Sequence, residues 1–238
     1  MDNAGYTQLT RQSGLLREIQ LLAHNIANLS TTGYRREGLL FSEYVRDLER
    51  QEEPLSMATA RAHQTYLTQG TLSQTGGPLD LGIEGDGFFT VQTPDGERYT
   101  RAGHFTPNQN GELVTPDGHR VLDEGGSAIF IPPDAAQIAV ARDGTVSADG
   151  QPLAQIALVV PADPASLRRE SGVLHAIDGP VDPVEDPQIL QGFLEESNVN
   201  AISEMARLIE VQRAYETGQK FLDREDERIR NVVQTLGR

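Results

Sequence analysis

Several groups of residues carry side chains suited to catalysis or ligand binding, and their spacing argues against each. Glu84 and Asp86 stand two apart around Gly85, as an acid/base or metal-binding carboxylate pair would, and His104 and His119 could supply nitrogen ligands. Asp-Gly is turn chemistry, however, and carboxylates on a strand surface are ordinarily solvated. The five histidines are scattered, with no H-x-H or H-x-x-x-H spacing, so no metal signature arises. Gly82-Ile83-Glu84-Gly85-Asp86-Gly87 has glycine spacing that invites comparison with a phosphate loop, but it lacks the Lys-Ser/Thr and the following helix. Arg35-Arg36 and Arg168-Arg169 read as solvated or acid-paired guanidiniums rather than anion sites. The expectation is a protein without catalytic residues, cofactor or metal.

Composition narrows the remaining classes. The 238 residues are 37% hydrophobic and include no Trp and no Cys, enough for one substantial core or two small ones and for no thiol chemistry. A formal charge of -15 disfavours nucleic acid and anionic membrane surfaces. No apolar run approaches the roughly 20 residues of a membrane span, so membrane insertion is not expected. The N-terminus shows no basic segment followed by an apolar one, so a cleaved secretory signal is not expected either. Acids and bases balance in residues 1–50 and again in 198–238, which leaves the whole acidic excess in the middle.

The balanced ends both read as helices. Leu208, Tyr215, Leu222, Ile229 and Leu236 recur every seven residues, with Val211, Gly218, Glu225 and Val232 beside them, which is the period of a helix with one apolar seam. Ser197, Asn198 or Asn200 can cap its start. Residues 3–29 give a second helix, with Asn3 as a plausible cap and Leu9, Leu15 or Leu16, Ile19, Leu22 or Ala23, Ile26 and Leu29 along one side. It supplies the partner that the C-terminal seam needs. Asn25 and Asn28 are poor helix formers near its end, and they read either as a frayed last turn or as amides that hydrogen-bond to neighbouring backbones in a crowded assembly.

Between the helices the pattern changes twice. Phe41, Tyr44, Val45 and Leu48 predict a short helix that Glu52-Glu53-Pro54 breaks, and the whole of 35–78 reads as an extended connector. From Leu79, turn signals such as Pro94-Asp95-Gly96, Pro116-Asp117-Gly118, Asp143-Gly144 and Asp149-Gly150 punctuate short apolar runs, which predicts antiparallel hairpins. Asp182-Pro183 and Asp186-Pro187 read as a stiff return linker. The expected fold is α+β: N- and C-terminal helices (1–34 and 188–238, the latter with its return linker) form a coiled-coil-like module, with an inserted antiparallel β domain over 79–187.

His24-Asn25-Ile26-Ala27-Asn28-Leu29-Ser30-Thr31-Thr32-Gly33-Tyr34-Arg35-Arg36 resembles the N-terminal signature of the flagellar rod and hook family. Glu195-Glu196-Ser197-Asn198-Val199-Asn200, with Met205 and Gln212-Arg213-Ala214-Tyr215, resembles its C-terminal signature. Ile83-Glu84-Gly85-Asp86-Gly87-Phe88-Phe89 and Tyr99-Thr100-Arg101-Ala102-Gly103-His104-Phe105 are similar to the family's strand motifs, and His24 stands where the family often has Asn. The resemblance implies a structural subunit of the flagellar basal-body rod, built into a hollow shaft through its terminal helices and needed for motility. The implied partners are its own copies, other proximal rod subunits, distal rod protein G and the flagellar export apparatus. The implied location is the periplasm-spanning rod, reached by type III export without a cleaved signal. Leu15, Ile19, Leu22, Ile26 and Asn28 on the first helix are the expected assembly residues, with Leu208, Val211, Tyr215, Leu222, Ile229, Val232 and Leu236 on the second. The alternative is a secreted carbohydrate-binding or hydrolytic β domain flanked by a coiled coil.

Overall fold

The two hydrophobic periods of the sequence, near 3.6 at the ends and near 2 in the middle, become two separate units. The computed structural model describes the backbone of residues 2–46 and 55–236 and the side chains of residues 8–39 and 64–235. One unit comprises residues 1–27, 37–64 and 200–238; the other comprises 28–36 and 65–199. Both helices and all the paired strands expected of an α+β chain are present, and every strand pair with a given register is antiparallel.

The helical unit contains α1 (Asp2–Ala27), β1 (Glu37–Arg46), β2 (Leu55–Thr65) and α2 (Ala201–Leu236). Asn3 falls inside α1 rather than before it. Asn200 caps α2: its Oδ1 accepts from the Ser203 amide at 3.1 Å, satisfying one of the amides that a helix start leaves unpaired. The helices run antiparallel, since Asn25 meets Glu204, Glu18 meets Arg207 and Gln12 meets Tyr215. The short helix expected around Phe41, Tyr44 and Val45 is instead β1, which pairs with β2. Phe, Tyr and Val are strand formers, and four residues at helical spacing are too few to decide between the two periods. Leu48 and Glu52–Pro54 lie outside the described residues.

In the β unit, β3 (Leu72–Gln74) and β4 (Leu81–Ile83) precede the central hairpin of β5 (Phe88–Thr93) and β6 (Gly96–Thr100). That hairpin sits inside a nine-stranded sheet, where β5 also pairs with Arg120–Val121 and Leu158–Pro161. Leu81, Ile83, Phe89, Val91, Phe105, Leu113, Val121 and Ile156 form the principal core, with Phe89 edge-on to Phe105 at 5.1 Å. Phe88 belongs to a smaller cluster with Tyr99 and Leu167, so both faces of β5 are covered. Asp149 and Gly150 both have positive φ, 49° and 80°, as a two-residue type I′ hairpin turn requires. The return linker expected at Asp182-Pro183 is an edge strand, Val181–Pro183, paired with Leu158–Pro161. An edge strand tolerates proline's missing amide. Ile189–Gln191 then pairs with β4, and Phe193–Glu195 with β3.

His175 is fully buried in this unit, its ring 5.8 Å from that of Phe88. Burial, reinforced by the nearby Arg169 guanidinium, pushes its pKa down to about 3, so the native state holds it neutral. The unfolded chain titrates near 6.5. The folded value lies below the unfolded one, so this stability is complete above pH 6.5 and is lost as pH falls towards 3. Lowering the pH from 7 to 5 should therefore cost about 2 kcal/mol through this residue. Urea melts of the wild type and of His175→Leu at the two pH values check this, the variant showing the flatter dependence.

Candidate assembly site

The residues that gather at the functional centre of each unit come from opposite ends of the chain. In the helical unit, Asn25 is fully buried and its amide grips β1: Nδ2 donates to Glu37 O at 2.9 Å, and Oδ1 accepts from the Glu37 amide at 3.1 Å. The same Nδ2 donates to Glu204 Oε2 at 3.0 Å. One side chain thus ties α1, β1 and α2, and its backbone partner is Glu37 of this chain rather than the backbone of a neighbouring copy.

Along the α1–α2 seam, Val211 and Leu22 are buried, while Leu208, Tyr215, Leu222, Leu15, Ile19 and Ile26 are half-buried. Between them lie buried Gln12 and Glu18. Each finds a partner across the seam: Gln12 Nε2 donates to Tyr215 O at 2.9 Å, and Glu18 pairs with Arg207 at 2.7 Å. Gly218 faces the Gln8 and Gln12 side chains, which a Cβ there would overlap. Asn28 sits in the turn that follows α1, where Oδ1 accepts from the Thr31 hydroxyl at 3.0 Å.

Beyond Glu225 the apolar residues of the seam are exposed among the described residues. Register places Asp2 opposite about residue 225, and past it Ile229, Val232 and Val233 are 53%, 47% and 64% exposed. The Leu236 side chain lies outside the described residues. A second exposed apolar row, Ile202, Met205 and Ile209, runs along the first turns of α2, with Leu9 and Leu16 exposed on α1. Exposed apolar rows are candidate surfaces for association. The sequence reading missed the second row because a single seam explained the heptads.

In the β unit the two signature segments are joined by one carboxylate. Gly33 N–H donates to Glu195 O at 2.8 Å, and Gly70 N–H donates to Glu195 Oε1 at 2.9 Å. Arg35 Nη2 lies 3.0 Å from Glu195 Oε1 and Arg101 Nη1 lies 3.4 Å from Oε2, with all three side chains buried. Arg35 also donates to Thr68 O and Arg101 to Gly85 O. Burial lowers both guanidinium pKa values against the pull of Glu195, that of Arg101 to about 10, so Arg101 stays charged at neutral pH. Asn198 adds a second clamp: Oδ1 accepts from Arg36 N–H at 2.6 Å, and Nδ2 donates to Tyr66 O and Thr68 O at 3.0 and 2.7 Å. Arg169 stacks over Tyr34 at 4.1 Å.

Gly33 has φ 68°, and a Cβ there would overlap the backbone of Ala102. Strain at positive φ and the clash together predict a loss of about 2–4 kcal/mol for Gly33→Ala. A thermal melt of the variant checks it, and the transition should fall by several degrees.

The chemistry candidates of the sequence stay apart. Glu84 and Asp86 are exposed, and His104 pairs instead with Asp80 at 2.6 Å. Among the described residues no group of three or more His, Asp or Glu side chains is placed to hold a metal ion. No described helix is long and apolar enough to cross a membrane.

Comparison with known proteins points the same way. The family described as flagellar hook protein FlgE/F/G D1 domain matches residues 82–148, and that described as flagellar basal body rod FlgEFG protein C-terminal matches 190–235. The chain is 41% identical to flagellar basal-body rod protein FlgF of Caulobacter vibrioides over 100% of this chain and 99% of that protein. It is 36% identical to FlgF of Mesorhizobium japonicum, with the same coverage. It is 31% identical to flagellar basal-body rod protein FlgG of Bacillus subtilis over 96% of this chain and 97% of the relative. The opening Met1-Asp2-Asn3-Ala4-Gly5-Tyr6 and Phe41-Ser42-Glu43-Tyr44 resemble proximal rod protein F among the family's members, in keeping with the FlgF relatives. With both signatures folded together and full-length relatives of this kind, the chain belongs to the flagellar basal-body rod protein family.

Proposed function

We propose that the chain is a structural subunit of the proximal rod, which assembles with its own copies and with other rod proteins, distal rod protein G among them, through its terminal helices. The observation that carries this reading is the apolar seam of α2, which continues past its α1 partner into exposed Ile229, Val232 and Val233. A heterologous contact of this kind, repeated by rotation and rise, builds an open tube. The coiled-coil-like helical unit then lies in the shaft wall, and torque passes from subunit to subunit through it. Delivery is by the flagellar export apparatus to the rod that spans the periplasm.

The test is to delete the gene, restore it with a tagged copy and image isolated basal bodies by cryo-electron microscopy. The expected result is tagged density in the proximal rod and, in the deletion, basal bodies that stop below it. Complete rods in the deletion strain would overturn the reading. So would hydrolysis of peptidoglycan by the purified protein, which belongs to the β-domain enzyme alternative.

A further inference from the structure

The α2 helix carries one apolar spacing twice. Ile202, Met205 and Ile209 stand at i, i+3 and i+7, and Ile229, Val232 and Leu236 repeat that spacing 27 residues further on. The first three are 81%, 50% and 52% exposed, and Ile229 and Val232 are 53% and 47% exposed. An α-helix covers 27 residues in about seven and a half turns, so the two stripes lie on opposite faces of α2, about 40 Å apart along its axis. The second stripe continues the heptad seam that α1 covers as far as Glu225, and it therefore presents a surface built to accept a helix. The first looks the other way: Ile202 is about two and a half turns, hence half a turn of phase, from buried Val211.

We propose that the two stripes are partners in successive copies of this chain, an inference that rests on the rod reading above and names the surface that the exposed end of α2 meets. Opposite faces come together when two parallel helices lie side by side, and a shift of about 40 Å along the axis sets Ile202, Met205 and Ile209 of one copy level with Ile229, Val232 and Leu236 of the other. All three layers match at that single offset, and this self-match points to a second copy as the occupant. The charges agree with it. At the same offset Ser203 comes level with Arg230, Glu204 with Asn231 and Arg207 with Gln234, so no like charges oppose. The flanking ions are already paired within the subunit, Arg207 with Glu18 and Glu210, Arg228 with Glu225 and Arg230 with Asp226, so the contact buries no unpaired charge. Because the two faces differ, the contact is heterologous: each copy joined through one stripe still offers the other, and the row grows instead of closing as a pair.

The chain has no cysteine, so introduced thiols report the contact without background. Met205→Cys and Val232→Cys are made in the full-length chain, and the purified proteins are treated with a short bis-maleimide across a dilution series. Each variant alone should give no adduct, an equal mixture of the two should give a dimer, and the double variant should give a ladder of dimers, trimers and longer chains. Adding Ile209→Glu to the Met205→Cys protein should lower the dimer yield about tenfold or more while leaving its melting unchanged, since Ile209 is exposed on the free subunit. Lys220→Cys in place of Val232→Cys puts an exposed thiol about 18 Å off level and should give no dimer. Dimers from either single variant mean that a stripe faces itself, which overturns the pairing. No adduct from the mixture at any concentration, or as much from the Lys220→Cys mixture, overturns it too. In basal bodies isolated from cells making both variants, the same cross-link should join two copies of this chain, and a cross-link only to a different rod protein overturns the second copy as the occupant. Residence in the rod is read separately from the tagged density, so a failed pairing in a chain found there leaves the rod reading standing.

Discussion

Replacing Glu195 with alanine is expected to destabilise the β unit by about 3–5 kcal/mol, the cost of leaving buried charge without its counter-charge. Glu195 is 1% exposed, and its carboxylate is shared by Arg35 and Arg101, themselves 1% and 2% exposed. The same carboxylate accepts the Gly70 amide, so its loss strands a backbone donor as well. A domain of this size moves about 2–4 °C per kcal/mol, which predicts a transition lowered by roughly 10 °C. Glu195→Gln separates charge from shape: the amide oxygen can still accept from Gly70, while both guanidiniums lose their counter-charge. Its cost should be smaller than that of alanine but remain above about 1.5 kcal/mol, the upper end for a neutral hydrogen bond. Combining Glu195→Ala with Arg101→Met should recover part of the loss, because one buried charge disappears and an apolar stem takes its place. Thermal melts of the four proteins measure this. If Glu195→Ala melts within 2 °C of the wild type, the joined chain ends are not held by this ion pair.

How much of this centre was legible in the sequence depended on how far apart its parts lie. The α2 seam could be read because its period is local, and its one interruption, Gly218, turns out to be a seam position kept small by the Gln8 and Gln12 side chains opposite. The inward face of α1 could be read only in part. Gln12, Glu18 and Asn25 are buried yet count as outward by hydropathy, because each is satisfied by a partner on another element that no local pattern reveals. Arg35 could be read as acid-paired but not assigned to Glu195, which lies at the other end of the chain. The hairpin turns were plain from Asp-Gly pairs, since positive φ is a property of single residues. Strand identity was not: at β1 four apolar residues at helical spacing do not decide between the two periods although Phe, Tyr and Val are strand formers, and Val181–Pro183 is extended by pairing with Leu158–Pro161, which no local pattern reveals.

Ile229→Glu is expected to abolish rod completion and swimming while leaving the melting of the free subunit within about 0.5 kcal/mol of wild type. On the free subunit Ile229 is 53% exposed, and a glutamate there meets water. On the assembly proposed above the same position faces a neighbour in the shaft, where burying an unpaired carboxylate would cost several kcal/mol at each repeated contact. Other positions on the seam separate the two effects. Val211 is 2% exposed and packs within the subunit, so Val211→Asp should lower the melting transition and stop swimming together. Leu222 is half-buried, so Leu222→Glu should fall between, with a modest loss of stability and a complete loss of swimming. Each variant needs only a thermal melt and a motility plate. The discriminating result is the order of the three: stability loss should follow burial within the subunit, while motility fails in all of them. Normal swimming by Ile229→Glu cells would mean that the exposed end of α2 is not an assembly surface, and the rod wall would have to be closed by the Ile202, Met205 and Ile209 row instead.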